Sequence, residues 1–316
     1  MLALAALVGI AALTGAVLPR LVLRTSWTAR APALGIAAWA AGGAAFLLSA
    51  TLTGLVLLSN AEAAADRLAH LLGTCLTGVR DHLGAAVPGG LASALGAAVV
   101  AGTVLPVLAG IISAVVRTAR RRARHLASLA LVARPGAHRT VVLDHPVPAA
   151  YCLPANTVVV TSGALRTLTE RELQAVLAHE RAHLQSRHHL LLTSASACAR
   201  ALPFVPLLRS AAAELPRLVE LAADDAAALR CGRPELAAAL QKLPAGAWPG
   251  EALSAGASTA ERARRLGADQ RTLSPPAVAV LAAGLTLLIL APVGLTAATV
   301  AHTTGADHCV HAEDRG

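Results

Sequence analysis

Lysine is all but missing from this 316-residue chain, with Lys242 the single example, and aromatic side chains number only six, three Trp, one Tyr and two Phe. The positive charge is therefore carried by arginine, and the 55% hydrophobic content by alanine, leucine, valine and glycine. A soluble core alone does not account for that apolar excess, which points to a membrane. Charge is absent from four long runs, Leu2 to Leu18, Ala33 to Leu58, Leu91 to Val116 and Ala277 to Val300. Each approaches or exceeds the roughly 20 apolar residues a helix needs to cross a bilayer. No basic residue precedes the first run, so the pattern predicts an uncleaved anchor in place of a signal peptide.

Acids are missing from the first inter-span loop, which holds Arg20, Arg24 and Arg30, and from the run Arg117-Thr-Ala-Arg-Arg-Arg-Ala-Arg124 after the third span. Arginine of this kind is retained on the cytoplasmic side, so both regions are expected there and both termini outside, in a bacterial plasma membrane. The net charge of +9 then reads as a topology signal and as contact with lipid headgroups, with no direct nucleic-acid binding expected. On this topology Cys75 and Cys309 fall outside, where a disulfide between them is conceivable, and Cys152, Cys198 and Cys231 fall inside.

The chemistry is concentrated in Leu177-Ala-His179-Glu180-Arg-Ala-His183, an H-E-x-x-H sequence. On a helix, residues four apart share a face, so His179 and His183 can present two imidazoles to one metal ion while Glu180 serves as general base. Thr169-Glu-Arg-Glu172 upstream has the form of a capped helix start, which supplies the helix the motif needs. A catalytic zinc site requires a third protein ligand. Glu220 is the expected one, because Asp224 follows it by one turn as an outer carboxylate able to orient a ligand histidine. Glu214 is the other acidic candidate, and Asp225 is expected at the surface or in an ion pair. One zinc ion per chain is the expected cofactor. For a donor to the oxyanion, Tyr151, Arg187, His188 and His189 are candidates by proximity in sequence alone.

Around this motif the coarse pattern is α+β. Leu126 to Val132 opens the soluble part and Thr140 to Leu143 reads as a strand. Ala149 to Pro154 and Thr157 to Thr161 read as extended stretches around Ala155-Asn156, a hairpin or bent edge strand. An edge strand beside a zinc helix could align a substrate peptide through its main chain. Leu190 to Leu208, broken by Arg200, Pro203 and Pro206, is expected to be a helical hairpin in or against the inner leaflet, because a fifth crossing would separate Glu220 from His179. Gly232-Arg-Pro-Glu-Leu starts a further helix and Pro244 to Ser258 reads as a loop. Ala260 to Leu266 reads as a basic amphipathic helix resting on headgroups. Ala61 to Leu72 is expected to be an amphipathic outer helix, and His302, Asp307, His308, Cys309 and His311 form a histidine-bearing tail.

The residues Ala150-Tyr-Cys-Leu-Pro154, Val158-Val-Val-Thr-Ser-Gly163, Glu172 to His183 and Glu220-Leu-Ala-Ala-Asp224 together resemble the integral-membrane gluzincins related to the beta-lactam sensor-transducer peptidases. The resemblance implies a mainly α membrane protein. Three transmembrane helices occupy 1–116, a cytoplasmic zinc metallopeptidase domain 117–275, a fourth helix 276–300 and a short extracytoplasmic tail 301–316. It also implies His179, His183 and Glu220 as ligands, Glu180 as base, and an endopeptidase acting on a protein or peptide substrate, with a winged-helix transcriptional repressor as one such partner. Sixteen residues follow the last span and the sole lysine lies inside, so an outer Ser-x-x-Lys acylation site is not expected. A membrane quality-control peptidase, similar to the heat-shock membrane metallopeptidases, and a non-proteolytic receptor or scaffold are the alternatives.

Overall fold

A computed structural model of the chain describes residues 2–59, 89–130, 133–136, 140–153, 157–243, 259–268 and 273–313. The expected outer helix at 61–72, Cys75 with its pairing to Cys309, the hairpin tip at 155–156 and the loop at 244–258 lie outside the described residues. Two compact units partition the chain, one made of Met1–Arg20, Ala40–Ala109 and Ala282–Gly316, the other of Leu21–Trp39 and Gly110–Leu281.

Four helical stretches are long and apolar enough to cross a membrane: Ala3–Leu23, Pro32–Leu58, Ser93–Leu129 and Pro275–Ala298. The first combines α1 (Leu2–Ala12), a π-helical turn (Leu13–Val17) and α2 (Leu18–Leu23), and a short α3 (Trp27–Arg30) follows it. The others are α4 (Pro32–Ser59), α5 (Gly89–Ala130) and the carboxy-terminal α12 (Pro275–Glu313), which continues past Val300. Within the first unit, α4 and α5 meet backbone to backbone. A side chain on Gly96 would lie 2.6 Å from the Gly54 carbonyl oxygen, and one on Gly54 2.9 Å from that of Gly96. Where no hydrophobic effect drives helices together, missing side chains allow this close approach.

The second unit carries a four-stranded sheet of β1 (Arg134–Pro135), β2 (Thr140–Leu143), β3 (Ala150–Leu153) and β4 (Thr157–Thr161), in the order β1-β2-β4-β3. Valines fill β4 because it is the strand buried on both faces: Val158, Val159 and Val160 are all nearly inaccessible. Strand alternation sends Ala150, Val158 and Val160 to one face, against Val176 and Leu177, and Leu153, Val159 and Tyr151 to the other, against Leu126 and Leu129 of α5. The expected start of the soluble part at Leu126 is thus the end of α5. With no proline or glycine between Val116 and Ala130, nothing breaks the helix as it leaves the apolar run. β2 pairs parallel with β4, whereas β3 pairs antiparallel with β4, Tyr151 opposite Val159. Among the described residues β3 is an edge.

After a short α6 (Ser162–Thr167), α7 (Glu170–Gln185) begins at a capping box. Thr169 Oγ1 accepts from the Glu172 amide at 3.4 Å, and the Glu172 carboxylate accepts from the Thr169 amide at 2.8 Å. Arg187, the one described non-glycine residue with positive φ, turns the chain into α8 (His188–Ala201). A turn at Leu202–Val205 leads to α9 (Pro206–Cys231), with Pro206 in the first helical turn where its missing N–H costs nothing. The hairpin expected from Leu190 to Leu208 is therefore these two helices. α10 (Arg233–Lys242) and α11 (Thr259–Gly267) then pack Leu236, Leu240 and Leu266 against Ala175 and Ala178 of α7 and Ala227 of α9.

The reading of Ala260 to Leu266 as a headgroup helix fails here. Arg262 and Arg265 are only 6% and 7% exposed and face the carboxylates of α9. These two arginines answer the buried Asp224 and the part-exposed Glu220 and Asp225, so this face of α11 packs inward.

Candidate metal centre

One turn of α7 separates His179 from His183, which brings their Nε2 atoms to 3.1 Å. α9 supplies Glu220, whose carboxylate oxygens lie 3.5 Å from His179 Nε2 and 3.6 Å from His183 Nε2. Ligand atoms at zinc bond lengths of about 2.0–2.1 Å, set tetrahedrally, stand about 3.4 Å apart. The three side chains therefore already have the spacing that one small dication requires, and His179, His183 and Glu220 form the group that could hold a metal ion.

Both imidazoles are held from behind. His179 Nδ1 lies 3.1 Å from Asp224 Oδ1, one turn beyond Glu220 on α9. His183 Nδ1 lies 3.0 Å from Nδ1 of His188, which is buried at the start of α8. A partner on the far nitrogen fixes which ring nitrogen is free for a metal. His188, expected at best as an oxyanion donor, is thus placed behind a ligand candidate.

Arg262 is the residue that sequence reading missed. Its guanidinium donates to Asp224 at 2.8 and 2.7 Å, and its Nη1 lies 3.0 Å from Glu220 Oε2. Its Nη2 also comes within 3.3 Å of His179 Nε2. The available signal was indirect: Glu180, Glu220 and Asp224 gathered around two histidines need a counter-charge. With all three ionised, one guanidinium leaves two negative charges in excess, which a divalent cation would balance.

The electrostatics agree with that imbalance. Burial drives the Glu180 carboxyl up to about 7, with Glu220 reinforcing the rise and His179 and Arg262 opposing it. For His179, burial and Arg262 oppose protonation, but the bonds to Asp224 and Glu220 prevail and raise it to about 9. Burial and the neighbouring His179 push His183 down to about 3, leaving it neutral. A proton and a metal compete for the same imidazole nitrogen, so the site that holds a proton on His179 is also one that attracts a cation.

The remaining candidates separate cleanly. Glu214 is paired with Arg217 at 2.6 Å, and Asp225 is paired with Arg265 at 2.6 and 2.8 Å. The Tyr151 hydroxyl is 3.1 Å from His125 Nε2, on the α5 side of the sheet, away from α7. Cys152, the next residue of the edge strand, alternates to the α7 side instead; burial first and the nearby Glu180 carboxylate second raise its thiol to about 12.

Residues 115–214 match peptidase family M48. A stretch of 84 residues is 40% identical to the Protease HtpX homolog of Moorella thermoacetica, covering 25% of this chain and 27% of that protein. The match thus spans about a quarter of the relative's length. No solved structure matches the chain. The segment that carries His179, Glu180 and His183 is therefore similar to peptidase family M48, and together with the four apolar helices this supports a membrane-type metallopeptidase.

Proposed function

We propose that the protein is a membrane-bound zinc endopeptidase, with His179, His183 and Glu220 holding one zinc ion, Glu180 as general base and Asp224 orienting His179. The observation that carries the reading is the convergence of two helices on three donor atoms at metal-binding spacing, with the half-buried Glu180 carboxylate next to them. Zinc bound there would polarise a scissile carbonyl and acidify water. Glu180 takes the proton of the attacking water and hands it to the leaving amine, and burial near neutrality suits it to both steps. β3 lies beside α7 as the sheet edge, where a substrate main chain can add as a further strand.

The peptidase unit faces the cytoplasm in this reading, because its arginine runs follow the retained-charge pattern. The first inter-span loop supports that side: it packs on the same unit, with Arg265 Nε donating to the Ala29 carbonyl at 3.0 Å. The substrate is a protein or peptide at that face, and a winged-helix transcriptional repressor is the regulatory form of the proposal. Trimming of membrane proteins is the second reading, and the match to a protease homologue supports proteolysis in either form.

Zinc content and proteolysis of detergent-purified protein, wild type against Glu180→Gln, test the assignment. Both should bind about one zinc per chain, and the variant should lose cleavage by about 10²–10⁴-fold. Wild type without zinc would overturn the ligand set. Repressor fragments that appear only with active enzyme in cells would separate the regulatory form from the trimming form.

A further inference from the structure

The turn between α8 and α9 presents an apolar tip that has no role in the metal centre. Leu202 and Val205 are buried beneath it, while Phe204, one of only two phenylalanines in the chain, is 76% exposed and the flanking Pro203 and Pro206 are exposed as well. From Leu190 to Ala199 the α8 arm carries no charge, and the exposed Arg200 and Arg209 stand on either side of the tip.

The position along α5 of the α8 turn that leads into this tip gives it a partner. A side chain on Gly110 of α5 would lie 3.6 Å from the Ala197 carbonyl oxygen and 3.9 Å from the methyl groups of Ala197 and Ala201. The last turn of α8 therefore lies beside Gly110, inside the apolar run of the Ser93–Leu129 span. The first charged residue of α5, Arg117, comes seven positions later, about 10 Å along the helix. A side chain exposed at that level of a membrane-crossing helix meets acyl chains, and an aromatic ring with arginines one turn back suits the boundary, since guanidinium groups reach back to phosphates.

We infer that the α8–α9 turn is an interfacial anchor, with Phe204 inserted among the acyl chains of the leaflet that Arg117 borders and Arg200 and Arg209 bound to phospholipid phosphates. The inference rests on Ser93–Leu129 crossing the bilayer and is independent of the peptidase assignment. Its consequence for the site is mechanical: α8 starts at His188 and α9 carries Glu220, so the anchored hairpin ties both sides of the metal centre to the membrane surface.

Nitroxide labelling of the full chain in phosphatidylcholine–phosphatidylglycerol vesicles tests the anchor, with the five native cysteines replaced by serine and single labels at Phe204→Cys or Pro203→Cys. Leu108→Cys, on the span, and Arg264→Cys, exposed on α11, are the references for lipid and water. Leu229→Cys controls for apolarity alone, because Leu229 is 89% exposed at the opposite end of α9. Labels at 203 and 204 should relax several-fold more with oxygen than with a water-soluble nickel chelate, as at 108, and those at 229 and 264 should show the reverse. Nickel-dominated relaxation at 203 and 204 would overturn the anchor. Shielding from both reagents would overturn it too, showing protein in place of lipid over the tip.

Discussion

Two arginine-rich helical stretches look alike in sequence and meet opposite fates. In α5 the arginines at 117, 120, 121 and 124 are exposed, whereas in α11 Arg262 and Arg265 are nearly inaccessible and only Arg264 faces out. The difference lies in what each helix meets. α5 leaves an apolar run, and four of its arginines stay exposed, while Arg122 is part-buried beside Cys152. α11 meets Asp224, Asp225 and Glu220 on α9, and charge buried against charge is tolerated only when paired. Lys242 is the intermediate case, 38% exposed and 2.7 Å from Glu172 at the start of α7.

If burial and pairing separate these cations, removing them should give a graded response. Arg262→Ala takes the guanidinium away from Asp224 and Glu220, leaving them only the two histidines as partners, and should cost about 3–5 kcal/mol, with zinc affinity falling about 10–100-fold. Thermal unfolding and metal titration of the purified variant read both. Arg262→Lys, which keeps the charge and loses the two-pronged contact, should fall between variant and wild type.

Arg265→Ala loses a bidentate pair to the part-exposed Asp225 and the bond to Ala29, so about 1–3 kcal/mol is expected, with zinc content unchanged. Equal loss of zinc in both arginine variants would break the distinction between a charge that serves the site and one that serves the packing.

Lys242→Met should cost about 1 kcal/mol at neutral pH, discounted for the exposure of the lysine. The bond from Lys242 holds the Glu172 carboxyl below its ordinary value of 4.5, with the Thr169 amide helping. A depressed carboxyl contributes its stability above the unfolded value and loses it as pH falls through the folded one. The gap between wild type and variant should therefore be widest above about pH 4.5 and close on further acidification, as unfolding at stepped pH would show. Smallest of all, Arg120→Gln and Arg121→Gln should each change stability by less than about 0.5 kcal/mol. Their effect should appear as weaker, salt-sensitive association with anionic vesicles.

The four long apolar helices were legible because an uninterrupted apolar run is a one-dimensional property. α7 was legible for the same kind of reason: Thr169 with Glu172, and His179 with His183, are local spacings that only a helix satisfies. That Glu220 and Asp224 share a helix one turn apart was legible in the same way. The two extended stretches on either side of Ala155-Asn156 were legible as a hairpin or bent edge strand; among the described residues β3 takes the edge and β4 lies inside the sheet. What β3 faces was not legible, since Tyr151 and Cys152 are neighbours in sequence and lie on opposite faces of the sheet.

The sequence by itself thus determined the elements whose signals are periodic or local: four apolar helices, a capped metal-motif helix and a valine strand. Only the tertiary structure decided that Arg262, 83 positions from His179, packs against His179, Glu220 and Asp224, that His188 stands behind His183, and that α11 turns Arg262 and Arg265 inward. The physical reason is that helix period states which side chains share a face and carries no record of what that face will meet. A buried counter-charge is chosen by the electrostatics of three helices packed together, and that sum exists only once they are assembled.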